Sequence, residues 1–417
     1  MGGARVEVGG QSQGVADNER DEFWRLTRPR ERPIRGQNVV RAAVHNRALI
    51  LHHVRANEPI SRLELAALTG LTAPAIFKIS QDLLEEKYLV AGRKREGLRG
   101  QPTSLLSINP DAAYSIGVNV DRDHISIVLL DFGGHVRETF RRQITFASPA
   151  EVKHLFAKSY GWIEQNYADL PAKLVGIGLS MPDNFAPASN AHLKRVWLET
   201  PFEDLFAENA HLPLVVENDA AAAAIGEMVF GAGKSVNSFF YLYLSVGLGG
   251  GLVINRRYIR GTRGQSGELR FLPSVNPFRS SNTALAQSLE SIVSLAGLSR
   301  ALHDAGCSQT RIDHADMEDP MVRAVLNDWT GRAADLLYLP LLSATCVIDL
   351  DAIFVGGNLP AAVLEIFAVE VSKRLSINLG SNWPQHLVRP AKMSGDVAAI
   401  GAAVLGFRDL WDRTGFE

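Results

Sequence analysis

Apolar residues recur at helical spacing near the start of the ordered-looking chain. Val39, Val40, Ala43, Val44, Ala48, Ile50, Leu51 and Val54 suit one buried helical face. Two shorter helical patterns follow, Arg62–Leu68 and Ala73–Glu86, with Ile76, Ile79, Leu83 and Leu84 on the inner face of the second. Its outer face carries Ala75, Phe77, Lys78 and Gln81. From Tyr114 the period changes to that of strands. YSIGVNV and ISIVLLDF are β-type runs, and the DFGG that ends the second predicts a hairpin turn. Strands, glycine turns and helical stretches then interleave to the end, which predicts an α/β architecture. Two apolar strand-plus-glycine stretches, LVGIGLS and YLYLSVGLGGGLVI, hint at two similar lobes. Apolar faces between Ala284 and Leu295 and between Met321 and Leu342 predict helices suited to subunit contacts.

Residues 1–36 lack such periodicity. They are rich in glycine and charge, with six arginines against three acids in RDEFWRLTRPRERPIRG, and read as a mobile arm with a short helix around Phe23–Leu26. A basic arm can touch DNA phosphates or be a solvated tail. With 417 residues the chain is too long for one core. At 46% hydrophobic and 21% charged it has an ordinary globular composition. The formal net charge of -2 means that a nucleic-acid surface has to be local. Cys307 and Cys346 are far apart and in no ligand-like spacing, which fits a reducing cytoplasm and argues against a thiolate metal site. No signal peptide and no uninterrupted apolar run of membrane-spanning length is read.

The two short helices carry the first chemistry. Ser61 is an N-cap with Glu64 three residues on, the pattern of a capping box. Thr69-Gly70-Leu71 is a tight turn. Thr72 stands at the next N-cap, with Pro74 in the first turn. Two helices joined by a glycine turn predict a helix-turn-helix whose second helix enters the major groove. Tyr88-Leu89-Val90 and the segment after it then read as strand, basic loop, strand: a wing. The candidate DNA-binding residues are Arg62, Thr72, Ala73, Phe77 and Lys78 on the helices, with Arg93, Lys94, Arg95, Arg99 and Gln101 in the wing. A solvated charged hairpin is the alternative for the loop alone, and partial burial the alternative for Phe77.

The stretch from Ile60 through Pro102, including ISRLELAALTGLTAPAIFKISQDLLEEKYLV and GLRGQP, resembles the winged module of ROK repressors (repressors, open reading frames, kinases). Where the family has Gly-Arg-Pro after the wing, this chain has Gly100-Gln101-Pro102, so one minor-groove cation is lost. Gln101 keeps a donor for the groove floor. From about Ala112 to Phe407 the chain resembles the ROK effector domain, which implies a two-lobed actin-like, sugar-kinase (ribonuclease H-like) fold. The organisation expected is an arm (1–36), a winged helix-turn-helix (37–109) and an effector domain (110–417). Lobe one takes about 110–232 plus a C-terminal helix at 396–412, and lobe two about 233–395.

Departures from the family motifs set the functional expectation. The first phosphate turn, Asp-x-Gly-x-Thr in the kinases, is Asn119-Val120-Asp121-Arg122-Asp123 here. Two carboxylates there repel a polyphosphate. The second turn, Ser245-Val246-Gly247-Leu248-Gly249, has lost its threonine at Val246. No ATP is therefore expected. Val216-Glu217-Asn218-Asp219 resembles the family's Glu-Asn-Asp motif, whose aspartate activates the sugar hydroxyl. A helix cap ahead of the alanine run is the simpler role for Asn218-Asp219. Gly261–Glu268 resembles the Gly-x-x-Gly-x-Ala-Gly-Glu stretch, with Glu268 at a sugar-contacting position. The Gly-His that follows in the family is Arg270-Phe271, and the cysteine-rich loop is missing, so no zinc is expected. Phe271 either stacks on a sugar ring or fills the space of the lost loop. Ser288-Leu289-Glu290 stands at the place of the last Cys-x-Glu, which makes Glu290 the fourth effector-binding candidate with Asn218, Asp219 and Glu268. Met181-Pro182-Asp183 replaces Pro-Gly. The expected function is a cytoplasmic, homodimeric or tetrameric DNA-binding regulator that answers to a sugar or sugar derivative and has no catalytic or metal residues. A sugar kinase with an appended DNA-binding domain is one alternative. A ligand-independent regulator with a vestigial cleft is another.

Overall fold

The computed structural model describes residues 39–92, 104–274, 288–312, 317–379 and 387–410, without 184, 187, 188, 210, 394 and 409, together with residue 383. The expected helix around Phe23–Leu26 lies outside the described residues. Helix α1 (Val39–Asn57) buries Ala48, Ile50, Leu51 and Val54. Ala43 and Val44, expected on that face, are exposed, because the helix runs past its partners at this end. Strand β1 (Ile60–Ser61) leads into α2 (Arg62–Thr69) and α3 (Ala73–Glu85). Strands β2 (Leu89–Gly92) and β3 (Leu105–Ile108) complete a three-stranded sheet of order β1-β3-β2.

Two five-stranded sheets follow. The first is built from β4 (Tyr114–Val120), β5 (His124–Asp131), β6 (Val136–Gln143), β7 (Leu174–Met181) and β8 (Leu214–Asn218), in the order β6-β5-β4-β7-β8. The second uses β9 (Phe239–Leu244), β10 (Leu248–Ile254), β11 (Arg257–Tyr258), β12 (Ala352–Gly357) and β13 (Val388–Pro390), in the order β11-β10-β9-β12-β13. Each has three antiparallel strands and then two parallel ones. The two lobes thus repeat one topology. The outer face of the first sheet is covered by α4 (Pro149–Asn166) and α5 (Ala191–Glu199). The second is covered by α7 (Leu295–Asp304), α8 (Pro320–Ile348) and α9 (Ala361–Leu375). The helix expected between Ala284 and Leu295 is not where the sequence put it: residues 275–287 lie outside the described residues, and α7 begins at Leu295. Helix α8 is long and apolar enough to cross a membrane by length and composition alone. The sequence placed this helix between Met321 and Leu342, and Asp335, ion-paired to Arg374 at 2.6 Å, interrupts its apolar run. Val322, Leu326, Trp329, Leu337 and Leu341 bury it in the lobe-two core.

Between the sheets lie two alanine-rich helices, α6 (Asp219–Val229) and α10 (Val397–Gly406). Placed by sequence in lobe one, α6 instead packs Ala220, Ala224 and Met228 on the lobe-two sheet, while Ala221, Ala222 and Ile225 meet α10. The lobe boundary drawn at 232 therefore falls behind a helix that both lobes share. No side-chain layer separates these elements. A Cβ on Gly178 would lie 1.8 Å from the Ala402 carbonyl oxygen, and one on Gly401 1.8 Å from that of Ala222.

The winged module shares its core with lobe one. Arg55, at the end of α1, is buried, donates from Nη2 to the Phe132 carbonyl at 2.8 Å and lies 5.0 Å from the ring centres of both Phe132 and Phe230. Burial pulls its pKa down to about 9, against the opposing fields of Glu58 and Asp131. The DFGG turn makes this seat. Gly134 has φ of 92°, and a Cβ there would come within 2.2 Å of the Phe230 ring.

Gly401→Ala should destabilise the protein by about 1–3 kcal/mol, read as a lower urea midpoint, because the added methyl has nowhere to go. In an open helix the same change stabilises by about 0.5–1 kcal/mol, so the sign of the shift decides the matter.

Candidate functional site

The helix-turn-helix is built from local chemistry. Ser61 and Glu64 form the reciprocal capping box, and Gly70 closes α2 with φ of 68°. The chain bends by 118° between α2 and α3, within the roughly 90–120° of DNA-binding helix pairs. Thr72 occupies the N-cap position of α3, but its side chain makes no capping bond, contrary to its expected role. Its hydroxyl does not turn back toward the helix amides. Thr72, Ala73, Phe77 and Lys78 are exposed together at the N-terminal half of α3, where the helix dipole favours phosphate. Phe77 is 59% exposed, which removes the core reading. Arg62 reaches across from α2: its Nε donates to Ser80 Oγ at 2.7 Å, and its guanidinium lies 5.3 Å from the Phe77 ring centre. Sequence reasoning missed Ser80, a buried polar residue at helical spacing among Ile76 and Leu83. Asp82, Glu85 and Glu86 make the far end of α3 acidic, so the N-terminal half is the end suited to DNA. Arg93, Lys94, Arg95, Arg99 and Gln101 lie outside the described residues.

The interlobe cleft holds the second set. Asn218 ends β8 and caps α6, its Oδ1 accepting from the amides of Ala220 at 2.9 Å and Ala221 at 3.3 Å. Its Nδ2 faces Asp183 at 3.4 Å. The cap role and an inward-facing donor thus coexist. Asn218, Asp219 and Glu268 line one cavity of about 20 Å³ with Arg122, Asp183 and Arg270. That is room for about one water and not for a sugar ring. The space is filled by Arg270, which is buried, pairs with Asp183 and lies 2.7 Å from Glu268. Glu290 sits behind this cavity, where both terminal nitrogens of Arg122 donate to it at 3.1 Å. The sequence marked 122, 183 and 270 as departures from a motif but gave them no partners. Phe271 is half-exposed beneath the Arg270 guanidinium at 4.7 Å, so it fills no hole in the core.

Burial and the neighbouring Asp121 carboxyl push the Asp219 pKa up to about 8. Burial raises Glu268 to about 7, and Arg270 opposes that rise. Burial likewise raises Asp121 and Glu217. The cleft is thus an acidic pocket partly neutralised by protons and two guanidinium groups.

The two phosphate turns are engaged by the chain's own groups. The Arg122 amide is already taken by Asp121 Oδ1 at 2.7 Å. The pair Arg122–Glu290 spans the gap to the second turn, so close to Gly247 that a Cβ there would lie 2.3 Å from Glu290 Oε1. Asp121, Asp123 and His124 bring three potential metal ligands within 4.8 Å. Within this group His124 Nδ1 is 2.6 Å from Asp123, and Arg311 is 3.2 Å from the same carboxylate.

The profile of the ROK family matches residues 115–408. Uncharacterized protein y4fQ of Sinorhizobium fredii is 30% identical over 374 residues, 87% of this chain and 90% of that one. A xylose repressor of Bacillus subtilis is 30% identical over 232 residues, 54% of this chain and 59% of the repressor. Among solved structures, a ROK family transcriptional regulator, a homologue of the E. coli MLC protein, superposes with a TM-score of 0.64 at 18% identity, covering 89% of this chain and 97% of that one.

An acid whose folded pKa is raised stabilises the fold fully below its unfolded pKa and loses that contribution as pH rises through the folded value. The folded protein should therefore lose stability as pH rises through about 8, the value for Asp219. Asp219→Asn should flatten that decline, measured as denaturation midpoints from pH 5 to 9. An unchanged slope in the variant would sink the assignment.

Proposed function

The chain belongs to the ROK family, and on that premise we propose that it is a sequence-specific DNA-binding transcriptional repressor. It acts on a palindromic operator as a homodimer or tetramer, and responds to a carbohydrate or sugar-derived effector in the interlobe cleft without kinase activity. The observation that carries this reading is the exposed N-terminal half of α3, set at 118° to α2, on a chain whose phosphate turns are bridged by Arg122–Glu290. Relatives named xylose repressor support the regulatory role. Arg62, Thr72, Ala73, Phe77 and Lys78, with Arg93, Lys94, Arg95, Arg99 and Gln101 of the wing, meet the DNA. Asn218, Asp219, Glu268 and Glu290 meet the effector. No ATP and no zinc take part.

Physically, the effector has to displace Arg270 from Asp183 and Glu268, because the closed cavity is about 20 Å³. Only a ligand with different affinities for the closed and open cleft can change the DNA-bound population. Arg55 gives such a change a route, since it ties the winged module to Phe230 at the end of α6, whose other end is Asp219.

The kinase alternative has one observation in its favour. Asp219, with a pKa near 8, would suit a base that takes a hydroxyl proton. Hexoses with ATP should give no sustained ADP release, and turnover in a coupled assay would reverse this part of the reading.

In vitro selection of bound DNA should enrich a paired or palindromic site. Lys78→Ala should weaken binding across all sequences and lower the log–log salt slope by about one. An Arg93/Arg95 double alanine variant should weaken the enriched site as well. If selection enriches nothing and binding is uniform and salt-sensitive, the sequence-specific regulator is ruled out.

A further inference from the structure

The tip of the hairpin between β4 and β5 meets lobe two at three consecutive residues. Asp121 Oδ2 accepts from Asn358 Nδ2, just past β12, at 3.3 Å. Both terminal nitrogens of Arg122 donate to Glu290, in the turn ahead of α7, at 3.1 Å. Asp123 Oδ2 accepts from Arg311 Nη1 at 3.2 Å. The three partners come from three separate segments of lobe two, 168 to 237 residues further along the chain. On its own side the tip is fixed. The Phe146 amide donates to the Arg122 carbonyl at 2.8 Å, and the Ile144 amide to the Asp123 carbonyl at 3.0 Å. His124, at the root of β5, is buried with Nδ1 2.6 Å from Asp123 and Nε2 3.7 Å from Asp396, the N-cap of α10. A pull on the tip is therefore borne by the lobe-one sheet and by α10.

These links differ in kind from the junction of α6 and α10. There backbone meets backbone. Here side chains meet by charge and hydrogen bond, and water can take over each end when the lobes part. Arg122 and Glu290 keep only 16% and 21% of their side-chain surface exposed, so removing either partner leaves a part-buried charge without its counter-charge. The pair Asp123–Arg311 is more exposed, at 24% and 42%, and more open to screening by salt. The second turn admits the first pair only because residue 247 is glycine. A Cβ there would lie 2.3 Å from Glu290 Oε1 and 2.8 Å from Arg122 Nη2.

We propose that this tip is an interlobe clasp: Asp121, Arg122 and Asp123 hold the cleft closed when no effector is bound, and opening the cleft breaks Arg122–Glu290 and Asp123–Arg311 together. These are positions at which the first phosphate turn departs from the family motif, and the departure supplies the side chains of the clasp. The closed state thus needs no ligand to hold it. An effector opens the cleft only if it binds the open state more tightly by at least what the clasp contributes. The effect of the clasp on operator affinity rests on the repressor reading.

Double electron–electron resonance on the full chain tests the clasp. Spin labels at Lys158→Cys on α4 and Asn327→Cys on α8, both exposed, read the separation of the lobes once Cys307→Ala and Cys346→Ser have removed the native thiols. Dilution with unlabelled chain isolates the pairs within one molecule. With no ligand added, the distance distribution should be narrow. Glu290→Arg turns the pair with Arg122 into a repulsion, and Gly247→Ala pushes the two side chains apart with every charge retained. Each should lengthen and broaden the distribution. Glu290→Gln takes the place of the arginine variant if circular dichroism shows that the latter does not fold. A wild-type distribution in both the 247 and the 290 variant, or one already broad in the wild type, overturns the proposal. The measurement needs no DNA. Failure of the wild-type chain to bind operator removes the repressor and leaves the clasp, and unchanged distances with intact operator binding remove the clasp alone. Where both stand, Glu290→Arg should shift operator affinity at least about fivefold, and equal affinity in variant and wild type overturns the regulatory part.

Discussion

Helices α6 and α10 cross backbone to backbone, with Gly401 against the Ala222 carbonyl, and α10 meets the lobe-one sheet in the same way at Gly178. Contacts this close leave no side-chain layer to slide or repack, so the two helices and the sheet hold one geometry. Both candidate sites adjoin that junction. The N-terminus of α6 presents Asn218 and Asp219 to the cleft, and its C-cap, Phe230, lies against Arg55 of the winged module. Eleven helical residues span about 16 Å, so a single stiff element touches both the candidate effector cavity and the seat of the DNA-binding module.

The second constraint is electrostatic. The cleft gathers Asp121, Asp183, Asp219, Glu217, Glu268 and Glu290 around two arginines. Buried carboxylates cannot all ionise in such a space, and the pKa values near 8 for Asp219 and near 7 for Glu268 express that. Arg270 and Arg122 occupy that space and offset part of its charge. The carboxylates of the cleft are thus met by the chain's own guanidinium groups.

Much of this was legible in the sequence where the signal is local. The capping box at Ser61 and Glu64, the Gly70 turn, the DFGG hairpin and the repeated strand-plus-glycine pattern of the two lobes each depend on residues a few positions apart, and each formed. Periodicity misled where burial depends on what lies alongside. Val44 fits the apolar face of α1 but extends beyond its partners, and α6 follows lobe one in the chain yet covers the sheet of lobe two. Phe77 and Phe271, equally apolar on paper, are exposed beside arginines.

The sequence by itself determined the helix-turn-helix, the two-lobed α/β class and the departures from the family's phosphate turns, because capping, turn geometry and side-chain type act within a few residues. Only the tertiary structure decided the state of the cleft. Arg122 finds Glu290 across 168 residues of chain, and Arg270 finds Asp183 across 87. No local pattern encodes such pairs, since they exist only once two separately folded sheets bring their edges together.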